Sequence, residues 1–165
     1  VRIIERTYPY IISIFLGFII YIFRLEINDI ENFKEILSAT VTFSAIIIAF
    51  LSTMVSIFIS LTNSEVMKNI NEAGGNGLLT SYIAETVIGG LFLVVFSIIL
   101  FIFLDYKGNF SNLLVVIYIS LFSFVIFSSY RILKISLKIL TNVLNESSSD
   151  KTENKAVKPK INEAP

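Results

Sequence analysis

The residues best placed to do chemistry in this chain form a single line of hydroxyls. Set out at 100° per residue, Ser38, Thr42, Ala45, Ala49, Ser52, Thr53, Ser56 and Ser60 fall within about 60° of one line along a helix, and no Phe or Leu interrupts it. Continued outward, the same line carries Lys34, Glu35 and Glu31. In a membrane such a stripe has two uses. As a seam, small residues let helix backbones approach, and each hydroxyl bonds across the interface for about 0.6 kcal/mol; Ser52, Ser56 and Ser60, four apart, suit that. As a lumen, hydroxyls pass ions along a wetted path without burying charge, and carboxylates such as Glu31 and Glu35 ringing its outer mouth favour cations. One chain of this size is too thin to enclose a path, so the lumen requires a homo-oligomer. Three more hydroxyls, Thr40, Ser44 and Thr62, fall off the line.

Other chemistries lack their residues. Histidine, cysteine, tryptophan and glutamine are absent, which removes imidazole catalysis, thiol chemistry, disulfides and the usual zinc sites. The acidic residues show no catalytic spacing, so no enzyme, no metal and no cofactor is expected. Ala73-Gly-Gly-Asn-Gly77 lacks the Lys-Ser/Thr of a phosphate-binding loop and follows no strand, and it reads as a turn. No Asp, Glu, Lys, Arg, Asn or Gln interrupts the apolar cores, which argues against proton relays, voltage sensing and ion-coupled transport. Gly89-Gly90 is one interruption, where an inverted-repeat transporter has a matched pair. Thirteen basic residues balance thirteen acidic ones, so nothing points to nucleic acid.

The elements that hold the stripe follow from composition. Of 165 residues, 55% are hydrophobic and 16% charged, with mean hydropathy +0.79. A soluble domain carries about 25% charged residues; this chain cannot cover itself and needs a lipid bilayer. Apolar runs stand at 8–23, 36–61, 86–104 and 113–130, against the roughly 20 residues that a hydrocarbon core takes. The first is short, but Arg24 can snorkel to the headgroups. Residues 21–25 offer no small-residue cleavage site, so it reads as an uncleaved span. The expected fold is all-α, an integral membrane four-helix transmembrane bundle.

Orientation follows the bias of Lys and Arg. With both termini cytoplasmic, the inner side carries Arg2, Arg6, Lys68, Arg131, Lys134, Lys138 and four tail lysines, and the outer side only Arg24, Lys34 and Lys107. Six of seven tyrosines fall at or near span ends, as an interfacial belt without Trp requires. Heavy use of Ile, Phe, Asn and Lys suggests an AT-rich bacterial genome, hence an inner or plasma membrane.

Outside the spans, the acidic loop 24–35 contains Asn28 and Glu31 in capping-box spacing, which starts helix 2 near Asp29. Residues 64–72 continue helix 2 into the cytoplasm before the glycines turn the chain. Helix 3 offers a shorter helix-packing stripe, Thr86, Gly90 and Ser97, with Gly89 beside it. Helix 4 runs on through an amphipathic extension, 131–145, whose basic cytoplasmic face is Arg131, Lys134 and Lys138 and whose apolar remainder must bury against headgroups, the other extension or another chain. The polar stretch 146–165 reads as a disordered cytoplasmic tail, beyond a transmembrane domain spanning 1–145.

Two functions are compatible with this pattern. The first is a small non-enzymatic membrane protein that self-associates through helices 2 and 3, with the stripe as seam or as the lining of a passive, cation-preferring pore or membrane-permeabilising assembly. The second is an anchor or sensor whose 131–165 region recruits a cytosolic protein, by architectural analogy with subunits of bacterial stress or phage-defence complexes.

Overall fold

A computed structural model describes the backbone of residues 2–60, 75–104 and 108–156, with side chains for 6–60, 77–104 and 108–145. Helices α1 (Arg2–Phe23), α2 (Phe33–Ser60), α3 (Gly75–Leu100) and α4 (Asn109–Ala156) make up the regular structure, with 3-10 turns at Ile27–Asp29 and Phe101–Phe103. Each of the four is long and apolar enough to cross a membrane. Helices are the open-ended solution there, because every backbone group finds its partner within the segment.

Several boundaries differ from the expectations. Helix α1 begins at Arg2, so Pro9 lies inside it and removes one bond from the ladder. Helix α2 starts at Phe33 rather than near Asp29: the Asn32 carbonyl accepts the first helical bond from Ile36 N–H at 3.1 Å, and Asn32 itself has φ +56°. The short-range cap falls earlier, where the Asp29 carboxylate accepts from Glu26 N–H at 2.9 Å and fixes the 3-10 turn. Helix α3 starts at Gly75, which puts Gly75 and Gly77 inside its first turn instead of ahead of it. Helix α4 continues to Ala156, past the expected boundary at 145. The expected continuation of α2 through 64–72, and residues 157–165, lie outside the described residues.

The helices pack in the order α1, α4, α3, α2. Helices α3 and α4 are central, burying 33% and 39% of their spans, against 17% each for α1 and α2. The connection from α1 to α2 crosses the start of α4 and closes that end. Ile27 N–H donates to Ser111 Oγ at 2.9 Å, Asn112 Nδ2 donates to the Leu25 carbonyl at 2.9 Å, and Gly108 N–H donates to Glu26 Oε2 at 3.0 Å. The turn's groups and the start of α4 thereby satisfy each other.

Helix α2 turns Leu37, Ser44, Leu51 and Phe58 inward, seven residues apart, with Thr40 between the first two. Seven-residue spacing is the seam of a nearly aligned helix pair. Two cores follow. One, toward the α1–α2 turn, gathers Ile27, Phe33, Leu37, Leu93, Leu100, Leu114, Val115, Tyr118 and Val125. The other, toward the opposite end, gathers Leu51, Phe58, Leu79, Tyr82, Ile83, Ile132 and Ile139. The periphery is also apolar: Phe15, Phe18, Ile22, Phe92 and Ile102 are all exposed.

Candidate functional site

The structure places the α2 stripe on the outside of the bundle. Ser38, Thr42, Ala45, Ala49, Ser52, Thr53, Ser56 and Ser60 are all exposed, and so is Glu35 in the first turn of α2; Glu31, also exposed, lies in the turn ahead of the helix and does not continue its line. Five of the stripe's six hydroxyls donate to their own helix. Thr42 donates to the Ser38 carbonyl at 3.1 Å, Ser52 to Ile48 at 2.9 Å, Thr53 to Ala49 at 3.1 Å and Ser56 to Ser52 at 3.3 Å, each one turn back; Ser60 donates to Ile57 at 2.7 Å. A hydroxyl that has spent its proton this way keeps its lone pairs. The outward face is therefore a ladder of acceptors. Acceptors of this kind can coordinate cations or water donors.

The seam inside the chain uses other residues. Thr40 and Ser44, off the stripe, are the α2 hydroxyls that the bundle buries. Thr40 Oγ1 and the Tyr118 hydroxyl of α4 lie 2.6 Å apart, and the Tyr118 ring meets Phe33 edge-on at 5.6 Å. On α3, Thr86, Gly89, Gly90 and Ser97 are all buried. Thr86 Oγ1 shares a hydrogen bond with Ser128 Oγ of α4 and lies 2.9 Å from the Tyr82 carbonyl. A side chain at Gly89 would put its Cβ 2.7 Å from the Phe124 ring of α4, and one at Gly90 would meet Ile48 of α2 at 3.3 Å. The α3 stripe is thus spent within the chain, against α4 and against the isoleucine side of α2. The two stripes do not face each other there. Ser44, Ser97 and Ser136 bury hydroxyls with no hydrogen-bond partner among the described residues, so their small volume is what these positions use.

Arg131 also departs from expectation. It is not on a basic surface with Lys134 and Lys138, which are exposed; its side chain is 3% exposed. Its guanidinium donates to Glu85 Oε2 at 3.1 Å, to Ser128 Oγ at 3.3 Å and to the Arg6 carbonyl at 3.3 Å, and its carbon lies 3.8 Å from the Tyr82 ring centre. Arg6 stands 3.8 Å from the other Glu85 oxygen. The physical reason is pairing: a guanidinium inside an apolar bundle is tolerated only where a carboxylate, acceptors and an aromatic face meet it.

Helical rise gives the depth of this cluster. Glu85 lies about 27 Å along the chain from Phe103, Arg131 about 33 Å from Asn109 and Arg6 about 26 Å from Phe23, at 1.5 Å per residue. Those lengths approach one hydrocarbon thickness, about 30 Å. The cluster was reachable from sequence: Glu85 and Arg131 are opposite charges at matching ends of antiparallel spans. Below Arg131, α4 exposes Leu133, Leu137, Leu140 and Leu144 on one side while Ile132, Ser136 and Ile139 are buried.

Compared with family models, curated proteins and solved structures, the chain matches none of them.

Proposed function

We propose that this chain is a four-span bacterial membrane protein, non-enzymatic, that self-associates around the outer face of α2 and encloses a passive, cation-preferring path. One observation carries the reading. The hydroxyl face of α2 is directed away from its own bundle, with the hydroxyls of Thr42, Ser52, Thr53, Ser56 and Ser60 donating to the helix's own backbone. Glu35, in the first turn of α2, and Glu31, in the turn ahead of it, are exposed, and carboxylates at a mouth raise the local cation concentration. The short packing stripe of α3 contributes to the chain's own core and not to this surface. On the count of Lys and Arg, both termini are cytoplasmic and the acidic mouth is external.

Ion flux through purified protein in liposomes tests this, wild type beside Ser56→Leu. The lumen requires cation flux in wild type and its loss in the variant, with the oligomer retained. Loss of assembly and flux together would make the stripe a seam between copies. No flux from a well-folded, oligomeric wild type would overturn the pore.

A second reading has its own observation. The exposed Leu133, Leu137, Leu140 and Leu144, beside exposed Lys134 and Lys138, give α4 an amphipathic surface beyond the paired Arg131. That suits an anchor which recruits a cytosolic protein through 131–165. Deleting 146–165 would abolish such recruitment and spare a pore.

A further inference from the structure

An open groove of about 550 Å³ lies between α1 and α3 and is floored by α4; α2 does not contribute to it. Its lining changes character along its length. Along α3 it passes from the apolar Phe92, Gly89 and Ile88 to Glu85, Ala84 and Ser81, and Tyr10 of α1 meets Phe124 of α4 across it with ring centres 4.9 Å apart. The Glu85 end is the ion cluster. Arg131, buried, answers the Glu85 carboxylate at 3.1 Å, and Arg6, whose side chain is 61% exposed, stands 3.8 Å from it. Two guanidiniums against one carboxylate leave one positive charge, and Arg6 is the group that presents it.

We infer that this groove holds one acyl chain of an anionic phospholipid, with the lipid phosphate on Arg6. The inference rests on the membrane reading above. The charge decides the occupant: an apolar slot rising from a net cationic end, about one hydrocarbon thickness from the far end of the span, has the polarity of a single tail beneath a phosphate. Basic pockets between spans on the cytoplasmic side take anionic headgroups for the same reason. The groove opens on its flank, so a lipid enters from the bilayer without separation of the helices. Glu85 does not repel the phosphate while Arg131 neutralises it.

Native mass spectrometry of the full chain, released from detergent containing equal phosphatidylglycerol and phosphatidylcholine, tests the inference. Wild type should retain one phosphatidylglycerol with a preference of roughly fivefold, the ratio one arginine at an anionic headgroup supplies. Arg6→Ala should bring that ratio near one, and Arg6→Lys should largely restore it. Ala84→Trp, which fills the groove from an exposed position, should lose the retained lipid. Equal retention of both lipids by wild type would overturn the inference. So would undiminished retention by a folded Ala84→Trp, or a change of oligomeric state in that variant, which would make the groove a seat for another copy. Carbonate extraction of native membranes separates the two levels, because a chain released by carbonate fails the membrane reading whatever lipid it retains.

Discussion

Arg131 of α4 and Glu85 of α3 stand 3.1 Å apart, guanidinium to carboxylate, in a bundle that leaves the arginine side chain 3% exposed. Arg131 also donates to the Arg6 carbonyl of α1, so one side chain ties three helices together at one depth. Removing one partner of a buried pair strands the other and costs about 3–5 kcal/mol, whereas an exposed pair contributes under about 1 kcal/mol. We therefore expect Glu85→Ala to lower stability by roughly 3 kcal/mol and Arg6→Ala to lower it far less. Denaturation in detergent micelles measures both. Equal effects would mean that the cluster is not a fastener.

The two sets of hydroxyls on α2 should separate in experiment. Thr40→Val removes the bond to Tyr118 from the chain's own seam and should cost about 0.6 kcal/mol of stability with flux unchanged. Ser56→Leu changes the outward face and should block flux with little effect on the stability of one chain. Flux measurements beside denaturation curves decide, and the reverse pattern would place the path inside the bundle.

At the acidic end, Glu31→Gln with Glu35→Gln removes two exposed carboxylates without altering shape and leaves exposed Asp29 in place. Reversal potentials across a salt gradient in planar bilayers should then shift toward zero, as cation preference falls. Unchanged selectivity would assign the preference to the hydroxyl ladder alone.

Close approach of α3 and α4 depends on Gly89, where a Cβ would lie 2.7 Å from the Phe124 ring. Gly89→Ala should destabilise the chain by about 1–3 kcal/mol through overpacking, and Phe124→Leu in the same chain should recover part of the loss. A neutral Gly89→Ala would mean that Phe124 moves freely into the adjacent groove.

Much of this architecture is local and therefore visible in sequence. A run of apolar residues commits a segment to a helix because its backbone must be satisfied internally, and over the described residues each of the four expected runs lies within a helix or its 3-10 extension, save Leu104. The starts were less legible. Asn28 and Glu31 have the spacing of a cap, but the turn is held by Asp29 and by Ser111 and Asn112 from a helix some 80 residues away. Local spacing carries no signal of such partners.

The faces divide the same way. The stripe of Ser38 to Ser60 was readable as a stripe, because side-chain polarity at helical spacing needs no knowledge of neighbours. Whether it faced inward was not readable. In water, an apolar face marks the core; in a chain whose exterior is also apolar, Phe18 outside and Leu51 inside are chemically alike, and periodicity loses its meaning as burial. Volume and close fit decide instead. Those belong to pairs of helices: Gly90 against Ile48, Gly89 against Phe124, Thr40 against Tyr118. Sequence alone determined the four helices and the hydroxyl line; the tertiary structure turned that line outward and drew Arg131 in to meet Glu85, because packing in an apolar chain is settled by shape and by the pairing of its few charges.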